Sequence, residues 1–181
     1  HQKVNFNDGA CYLSLDKENR HILGVSYGNG RLNVYPLNDQ GIPGKAVTTI
    51  DEGKKEAHCV LLPPDGKNVY IPYVKGNLAI LQYAYDGNTG KVTPLKPKDA
   101  KPPLGSGPRH MAHHPTLPMV YFSNEQGIGL SSYRRETNGQ LKVEQDISIL
   151  PPGMSKIGLS ASDLLITPDG KFLYAGLRGH R

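Results

Sequence analysis

A repeated stretch decides the fold, and its clearest copy reads HCVLLPPDGKNVYIPY at residues 58–73. Related stretches read RHMAHHPTLPMVYFSN at residues 109–124 and SDLLITPDGKFLYAGL at residues 162–177. The central prolines of the three copies stand 51 and 53 residues apart: Pro64, Pro115 and Pro168. A looser first copy covers residues 11–27. We therefore predict an array of similar units rather than a set of unrelated domains.

Each unit is predicted to consist of β-strands, because short runs rich in β-branched and aromatic residues alternate with turn pairs such as Asp65-Gly66. Residues 68–73 and 78–83 are two such runs, and a short fourth strand is expected at residues 91–93. No stretch shows a sustained helical period. Four antiparallel strands in about fifty residues are typical of one β-propeller blade. The sequence thus predicts an all-β propeller fold of four-stranded antiparallel blades.

Four blade-like units are expected, the last of them partial, at about residues 11–57, 58–108, 109–161 and 162–181. A propeller takes about 4–8 blades to close its ring. The chain begins at His1 without an initiator methionine and stops directly after a second strand. We therefore expect an incomplete arc of about three to four blades. The remaining blades would then come from a separate fragment.

The composition, with 37% hydrophobic and 20% charged residues, predicts a soluble globular protein, and no apolar run is long enough to span a membrane. Cys11 and Cys59 occupy matching places in neighbouring blades, so we expect free, buried thiols rather than a disulfide. Free thiols favour a reducing cytoplasm. The net charge of +5 fits a small anionic ligand, but lysines on a solvated surface would explain it equally well. Nucleic-acid binding is not expected, because the lysine-rich segments lack interleaved aromatic residues.

Counting from the central prolines places four candidate catalytic residues on one rim. The residues six positions before the proline begin the first strand of each blade: His58, Arg109 and Ser162. The residues ten positions after it end the second strand: Val74, Glu125 and Arg178. These two places lie side by side in an antiparallel hairpin, and first strands line the channel of a propeller. The residues predicted to converge at one channel mouth are His58, Arg109, Glu125 and Arg178.

This set of side chains suits the hydrolysis of an anionic ester or lactone. Arg109 and Arg178 can hold a carboxylate or phosphate, or stabilise the oxyanion that forms when water attacks a carbonyl. His58 can take a proton from water near neutral pH, and Glu125 can orient it or act as its acid/base partner. We also expect water to solvate Arg109, so that its truncation changes stability by no more than about 1 kcal/mol. The alternative is that each is an ordinary rim residue.

The run His110-Met-Ala-His113-His114 raises the question of a metal site, which we do not expect. On a strand, His110 and His114 share one face and His113 points to the other. No glutamate stands at the spacing that helical zinc motifs use. The chain also lacks a glycine-rich phosphate loop and a nucleophile elbow. The sequence therefore predicts neither a metal nor a cofactor.

At these residues the chain resembles the seven-bladed lactonase family, which includes bacterial propeller-type 6-phosphogluconolactonases and the fungal carboxy-cis,cis-muconate cyclase. The motifs that carry the resemblance are Gly107-Pro-Arg-His110, His114-Pro115, Asn124-Glu125, and ITPDGKFLY at residues 166–174 followed by Arg178. The resemblance covers essentially the whole chain and implies a seven-bladed ring with a cleft on one face and no obligatory metal. In the cyclase branch, the proposed active site uses a histidine, two arginines and a glutamate at positions matched here by His58, Arg109, Arg178 and Glu125.

The resemblance implies a lactonase that hydrolyses a sugar-acid lactone, with 6-phosphogluconolactone of the pentose phosphate pathway as the first candidate. His110 and Asn124 are expected to bind the substrate. One departure is Val74-Lys75-Gly76, where family members often carry an aspartate. Two alternatives stay open, a lactone-forming cycloisomerase of the muconate type and a non-catalytic propeller scaffold. Rim residues that point into one pocket would favour catalysis, whereas surface salt bridges among them would favour the scaffold.

Overall fold

The computed structural model describes residues 9–179, which form four antiparallel sheets that we number as blades 1 to 4. Blade 1 contains β1 (Ala10–Leu15), β2 (His21–Ser26), β3 (Leu32–Pro36) and β4 (Thr48–Ile50). Blade 2 contains β5 (Asn68–Tyr73), β6 (Ala79–Asp86) and β7 (Lys91–Asp99). Blade 3 contains β8 (Pro108–His113), β9 (Met119–Asn124), β10 (Gly129–Arg135) and β11 (Leu141–Ser148). Blade 4 contains β12 (Leu159–Ile166) and β13 (Leu173–Gly179).

The predicted all-β architecture is confirmed. Strands follow one another across each sheet, and the one helical element within residues 9–179 is a 3₁₀ turn at Lys75–Asn77. Across the same residues there is no helix with the length and apolar character needed to span a membrane. The short fourth strand expected at residues 91–93 is longer, since β7 continues to Asp99. Pro94 and Pro97 are tolerated in β7 because it is an outer edge strand of its sheet.

The first strand of blade 2 is irregular, although the sequence predicts a regular one. It pairs with β5 through two isolated bridges, Ala57 with Tyr73 and Leu61 with Tyr70. Between them, the backbone N–H of His58 donates to the carbonyl of Pro72 at 3.1 Å. His58 therefore lies beside the end of β5, as its position six residues before Pro64 predicts. It is not part of a continuous ladder of β-sheet hydrogen bonds.

Adjacent blades pack face to face, and the side chains of one strand alternate between two cores. In β5, Val69, Ile71 and Tyr73 belong to the core shared with blade 1, whereas Tyr70 belongs to the core shared with blade 3. All six residues of β5 are buried. Burial on both faces explains why this strand reads as a nearly unbroken apolar run, NVYIPY, rather than as an alternating pattern.

Buried tyrosine hydroxyls join blade 2 to both of its neighbours. Tyr73 donates to the carbonyl of Gly30 at 3.0 Å, and Tyr85 donates to Oδ2 of Asp16 at 3.1 Å, both in blade 1. In the other direction, Tyr70 donates to the carbonyl of Gly139 in blade 3 at 2.6 Å. The rings add apolar contact area while the hydroxyls satisfy buried acceptors, so these residues fix how the blades are stacked.

The two cysteines are free, but they differ in exposure. Cys59 is buried, as expected, whereas Cys11 is exposed, so the expectation of two buried thiols is wrong for Cys11. Burial raises the pKa of Cys59 to about 12. The Cys59 thiol is therefore protonated and unreactive at neutral pH.

His113, at the end of β8, is half-buried between blades 2 and 3. Its Nε2 lies 3.3 Å from the carbonyl of Leu61, and its ring packs against Tyr70 with 5.9 Å between centroids. Because a carbonyl only accepts, Nε2 must carry the proton. Nδ1 is buried and makes no hydrogen bond within the described part of the chain. Burial lowers the pKa of His113 to about 4, so the ring is uncharged at neutral pH.

We predict that His113→Gln weakens the dependence of stability on pH. The folded pKa of about 4 lies below the unfolded value, so the unfolded chain binds more protons in acid and stability is lost as the pH falls below about 6.5. Glutamine keeps a donor for the Leu61 carbonyl but does not titrate. Between about pH 7.5 and about pH 5, the unfolding free energy in urea should fall by about 2 kcal/mol less in the variant. An equal fall in both proteins would contradict the assignment.

Candidate active site

Every first strand contains one extra residue at the same place, and these irregularities build the site. The pairing with the second strand slips by one residue in each blade, in the following intervals: Ala10 to Tyr12, Ala57 to Leu61, Pro108 to Met111, and Ala161 to Leu164. Such a β-bulge bends the strand and redirects its side chains. The bulge of blade 3 contains the consecutive residues Arg109 and His110. The bulge of blade 4 contains Ser162 and Asp163 at the matching positions.

The two pairs face each other across the junction of blades 3 and 4. Nη1 of Arg109 lies 3.5 Å from Oγ of Ser162, and Nδ1 of His110 lies 2.8 Å from Oδ1 of Asp163. Nη1 of Arg109 also lies 3.1 Å from Nε2 of His110. Both members of each pair therefore reach the rim, which a regular strand would not allow because consecutive side chains point to opposite faces.

Glu125 brings the two arginines together. Its Oε2 lies 2.7 Å from Nε of Arg109 and accepts a hydrogen bond from Nη2 of Arg178 at 2.8 Å. The Nε–H of Arg109 does not point at the carboxylate, so that contact is an ion pair without a hydrogen bond. Arg178 also donates from Nε to Oγ of Ser160 at 2.9 Å. The predicted convergence of Arg109, Glu125 and Arg178 is thus present in the structure.

A tight turn sets the position of Glu125. Gly107 has a φ of 63°, a conformation that favours glycine, and its carbonyl accepts the backbone N–H of Glu125 at 2.7 Å. The start of β8 is therefore tied to the end of β9. This bond explains why Arg109 and Glu125 meet, although they are 16 residues apart in the chain.

The arginine cluster, which consists of Arg109, Glu125 and Arg178, is partly buried, but some of its hydrogen-bond donors have no partner among the residues that the structure describes. The side chains of Arg109 and Glu125 are each 11% exposed, and that of Arg178 is 50% exposed. The expectation that water solvates Arg109 is therefore wrong. Nη2 of Arg109 and Nη1 of Arg178 form no hydrogen bond within residues 9–179. These nitrogens are the donors that remain available to a ligand.

His58 lies next to the cluster through ring contacts. Its ring centroid is 5.1 Å from that of His110 and 5.7 Å from that of Tyr27. Burial and the positive charge of Arg109 lower the pKa of His58 to about 4, so its imidazole is uncharged near neutral pH. His58 forms no hydrogen bond with Glu125 among the described residues, and Glu125 instead accepts from Nε2 of Gln126 at 3.2 Å. The expectation that Glu125 orients His58 is therefore wrong.

Asn124 does not face the cluster. Its side chain is buried in blade 3, where Nδ2 donates to Oδ1 of Asp146 at 2.9 Å and Oδ1 accepts from Oγ of Ser131 at 3.2 Å. The physical reason is the alternation of a strand, since Glu125 points to the rim and its neighbour must point away. The expected substrate-binding role of Asn124 is corrected to a structural one, whereas His110 does lie beside Arg109.

Two residues at the rim, Asp163 and Lys75, were not predicted from the sequence to take part in the site. Asp163 contacts His110, and it could have been found in the column five residues before the proline, which contains Cys59, His110 and Asp163. Lys75 stands in the segment that departs from the family pattern, and its Nζ lies 5.6 Å from the centroid of the Tyr27 ring. Lys75 thus adds a positive charge beside Tyr27, whose ring packs against His58.

The other histidines of the His110–His114 run take structural positions. Nδ1 of His114 accepts the backbone N–H groups of Thr116 and Leu117 at 3.2 and 2.9 Å, which closes the turn between β8 and β9. In the part of the chain that the structure describes, no group of three or more His, Cys, Asp or Glu side chains is arranged to hold a metal ion.

Comparison with known proteins identifies the family. A family model described as "Lactonase, 7-bladed beta-propeller" matches residues 2–181. The chain belongs to this family. The resemblance stated from the motifs and the propeller fold stated from the repeats are both confirmed.

Relatives agree with this assignment. The chain is 32% identical over 165 residues to a 6-phosphogluconolactonase of Cronobacter sakazakii, covering 91% of this chain and 48% of the relative. It is 32% identical over 168 residues to a 6-phosphogluconolactonase of Photorhabdus laumondii, covering 92% and 49%. The structure of the periplasmic gluconolactonase of Pseudomonas aeruginosa has the same fold, with a TM-score of 0.82, 24% identity, and coverage of 94% of this chain and 50% of that one. The chain spans about half the length of the curated relatives it matches.

We predict that Asn124→Ala destabilises the protein without weakening substrate binding. The substitution removes the acceptor of the buried Ser131 hydroxyl and one hydrogen bond to the exposed Asp146, which should cost about 1–2 kcal/mol of unfolding free energy. KM should stay within about twofold, because Asn124 does not reach the rim. Urea unfolding and steady-state kinetics test the two parts. The matched control is Asn138→Ala in the exposed turn before β11, and a large rise in KM confined to Asn124→Ala would restore the substrate-binding role.

Proposed function

We propose that the protein is a lactone hydrolase, with 6-phosphogluconolactone as the first candidate substrate. The observation that carries the proposal is the pair of guanidinium groups that Glu125 holds side by side, next to an uncharged histidine. Two relatives named 6-phosphogluconolactonase support the choice of substrate. The net charge of +5 also suits a phosphorylated anion.

The proposed reaction begins when the lactone carbonyl oxygen meets the free donors of Arg109 and Arg178. Water attacks the carbonyl carbon, and His58 accepts the proton that the water loses. The negative charge that develops on the carbonyl oxygen is stabilised by the guanidinium groups, which are already in place. The bond between the carbonyl carbon and the ring oxygen then breaks, and the leaving oxygen takes the proton from the His58 imidazolium. The product is the open-chain hydroxy acid, which releases a proton to solvent.

His58 fits the role of base because of its electrostatic surroundings. With a pKa of about 4, it is fully unprotonated at neutral pH, although it is a weak base in the free site. The negative charge of a bound phosphate, and of the oxyanion itself, favours its protonated form and strengthens it as a base when substrate is present. Lys75, near Tyr27, is suited to contact the phosphate at the other end of the substrate.

Glu125 does not act as the acid/base partner of His58 in this proposal. Its Oε2 faces both guanidinium groups, and its Oε1 accepts from Gln126. We therefore assign it to holding the arginines in place. The cycloisomerase alternative has less support, because the relatives are named for hydrolysis rather than cyclisation. The scaffold alternative has less support from the Arg109–Glu125 contact, which is mostly covered, than from the Arg178–Glu125 contact, in which Arg178 is half-exposed.

The setting of the reaction is part of the same proposal. Hydrolysis of 6-phosphogluconolactone would place the protein in the pentose phosphate pathway. The free thiols of Cys11 and Cys59 support a cytoplasmic location. The partner would be a small anionic lactone.

We predict that Arg109→Ala lowers kcat/KM for lactone hydrolysis by about 10²–10³-fold, because a donor for the developing oxyanion is lost. Arg109→Lys should recover little, since a point charge cannot hold Glu125 and the substrate at once. Stability should fall by about 1–2 kcal/mol rather than by nothing, because Glu125 is covered but keeps Arg178 as a partner. Kinetics and urea unfolding of the complete protein measure both effects.

The matched control for Arg109 is Arg134→Ala. Arg134 is 52% exposed and pairs with Glu144 at 2.6 Å on the outer strands of blade 3. Its removal should leave kcat/KM unchanged. If Arg109→Ala were as active as this control, the scaffold alternative would replace the lactonase proposal.

We predict that kcat/KM stays constant from about pH 7 to about pH 5 and falls only as His58 becomes protonated. The limiting pKa in the free protein should be about 4, because burial and Arg109 disfavour the imidazolium. His58→Gln should lower the rate by at least about 10²-fold and remove this acid limb. An acid limb that persists unchanged in His58→Gln would show that His58 is not the base.

A further inference from the structure

We propose that Asp163 is a positioning residue, which acts through His110 to fix the guanidinium group of Arg109 at the rim. The inference rests on the proposed lactone hydrolysis for its kinetic consequence. Asp163 belongs to blade 4, whereas His110 and Arg109 belong to blade 3. The chain of contacts therefore runs across the junction of two blades.

The contacts form one continuous path. Oδ1 of Asp163 lies 2.8 Å from Nδ1 of His110, and Nε2 of His110 lies 3.1 Å from Nη1 of Arg109. Nε of Arg109 lies 2.7 Å from Oε2 of Glu125 on its other side. Arg109 is thus held from two directions, and its Nη2 is left for a ligand.

The chemistry of these atoms selects one tautomer of His110. A carboxylate only accepts, so Nδ1 must carry the proton that Asp163 receives. A guanidinium group only donates, so Nε2 must present its lone pair to Nη1 of Arg109. Both contacts are satisfied together by a neutral His110 with its proton on Nδ1. Without Asp163, only the contact with Arg109 would favour that tautomer, so the share of His110 protonated on Nε2 should rise.

The backbone around the path is also fixed. Oγ of Ser123 accepts the backbone N–H of His110 at 3.2 Å and donates to the carbonyl of Ser162 at 2.7 Å. Asp163 itself accepts the backbone N–H of Leu164 at 2.9 Å. The two bulges are therefore tied to each other independently of the Asp163 carboxylate. Truncating Asp163 should release the His110 ring without separating the blades.

The test compares Asp163→Ala with Asp163→Asn in the complete protein. Long-range ¹H–¹⁵N correlation spectra of the imidazole should show His110 protonated on Nδ1 in the wild type and a clearly larger share of Nε2-protonated ring in Asp163→Ala. The alanine variant should lower kcat by about 10-fold with KM within about threefold, because Arg109 is displaced in the transition state. Asparagine retains an acceptor oxygen, so it should recover most of the loss.

A double variant separates action through Arg109 from an independent effect. In an Arg109→Lys background, Asp163→Ala should change kcat by less than about twofold, since the group that it positions is already gone. Asp51→Ala is the matched control, because Asp51 is also exposed and pairs with an arginine, Arg31, at 2.8 Å. It should leave both the spectra and kcat unchanged.

The outcomes distinguish this inference from the proposed function. An unchanged His110 tautomer in Asp163→Ala would overturn the positioning role, and so would a changed tautomer with kcat equal to that of Asp51→Ala. Full additivity of Asp163→Ala with Arg109→Lys would overturn the path through Arg109. If the wild-type protein hydrolyses no lactone, the proposed function fails, and the imidazole spectra still decide whether Asp163 positions His110.

Discussion

A blade of this fold is a sheet with two apolar faces, and it is stable only where a neighbour covers each of them. Blade 2 meets this requirement, because β5 is buried throughout and its tyrosines bond to blades 1 and 3. Blade 4 shows the opposite case, with Leu165, Phe172 and Tyr174 each at least 60% exposed. Covering one such side chain contributes about 1.5–3 kcal/mol. Face-to-face stacking therefore sets the order of the blades, and with it the spacing of every rim residue.

The site arises from a small irregularity that this stacking repeats. Each first strand contains a bulge at the same place, so each blade presents bulge residues to the next one. The backbone geometry is common to all blades, but the side chains differ, with a thiol at Cys11, an imidazole at His58 and a guanidinium group at Arg109. A repeat fold thus combines unlike groups at one rim without any change of architecture. Function here depends on which residue type occupies each bulge.

The sequence repeats, and the positions counted from their central prolines, predicted the fold and part of the site. They predicted the all-β blades and the meeting of Arg109, Glu125 and Arg178, because hairpin geometry places strand starts beside strand ends. Asp163 was missed because a bulge resets the alternation of side chains, whereas a regular strand would turn the neighbour of Ser162 away from the rim. Asn124 was misassigned for the related reason that its neighbour Glu125 occupies the rim. Both errors concern the direction of a side chain rather than its place in the fold.

The charges of the cluster explain why Glu125 would be useful in a site that we propose to bind an anion. Two guanidinium groups alone would repel each other and would attract an anion in many orientations. A shared carboxylate reduces the net positive charge and competes with the ligand, which weakens binding. In return, it holds both cations at 2.7 and 2.8 Å from one oxygen atom, and it makes their partial burial tolerable. Rate acceleration depends on donors that are in place before charge develops, so a site that gives up some affinity for a fixed geometry is favoured for catalysis.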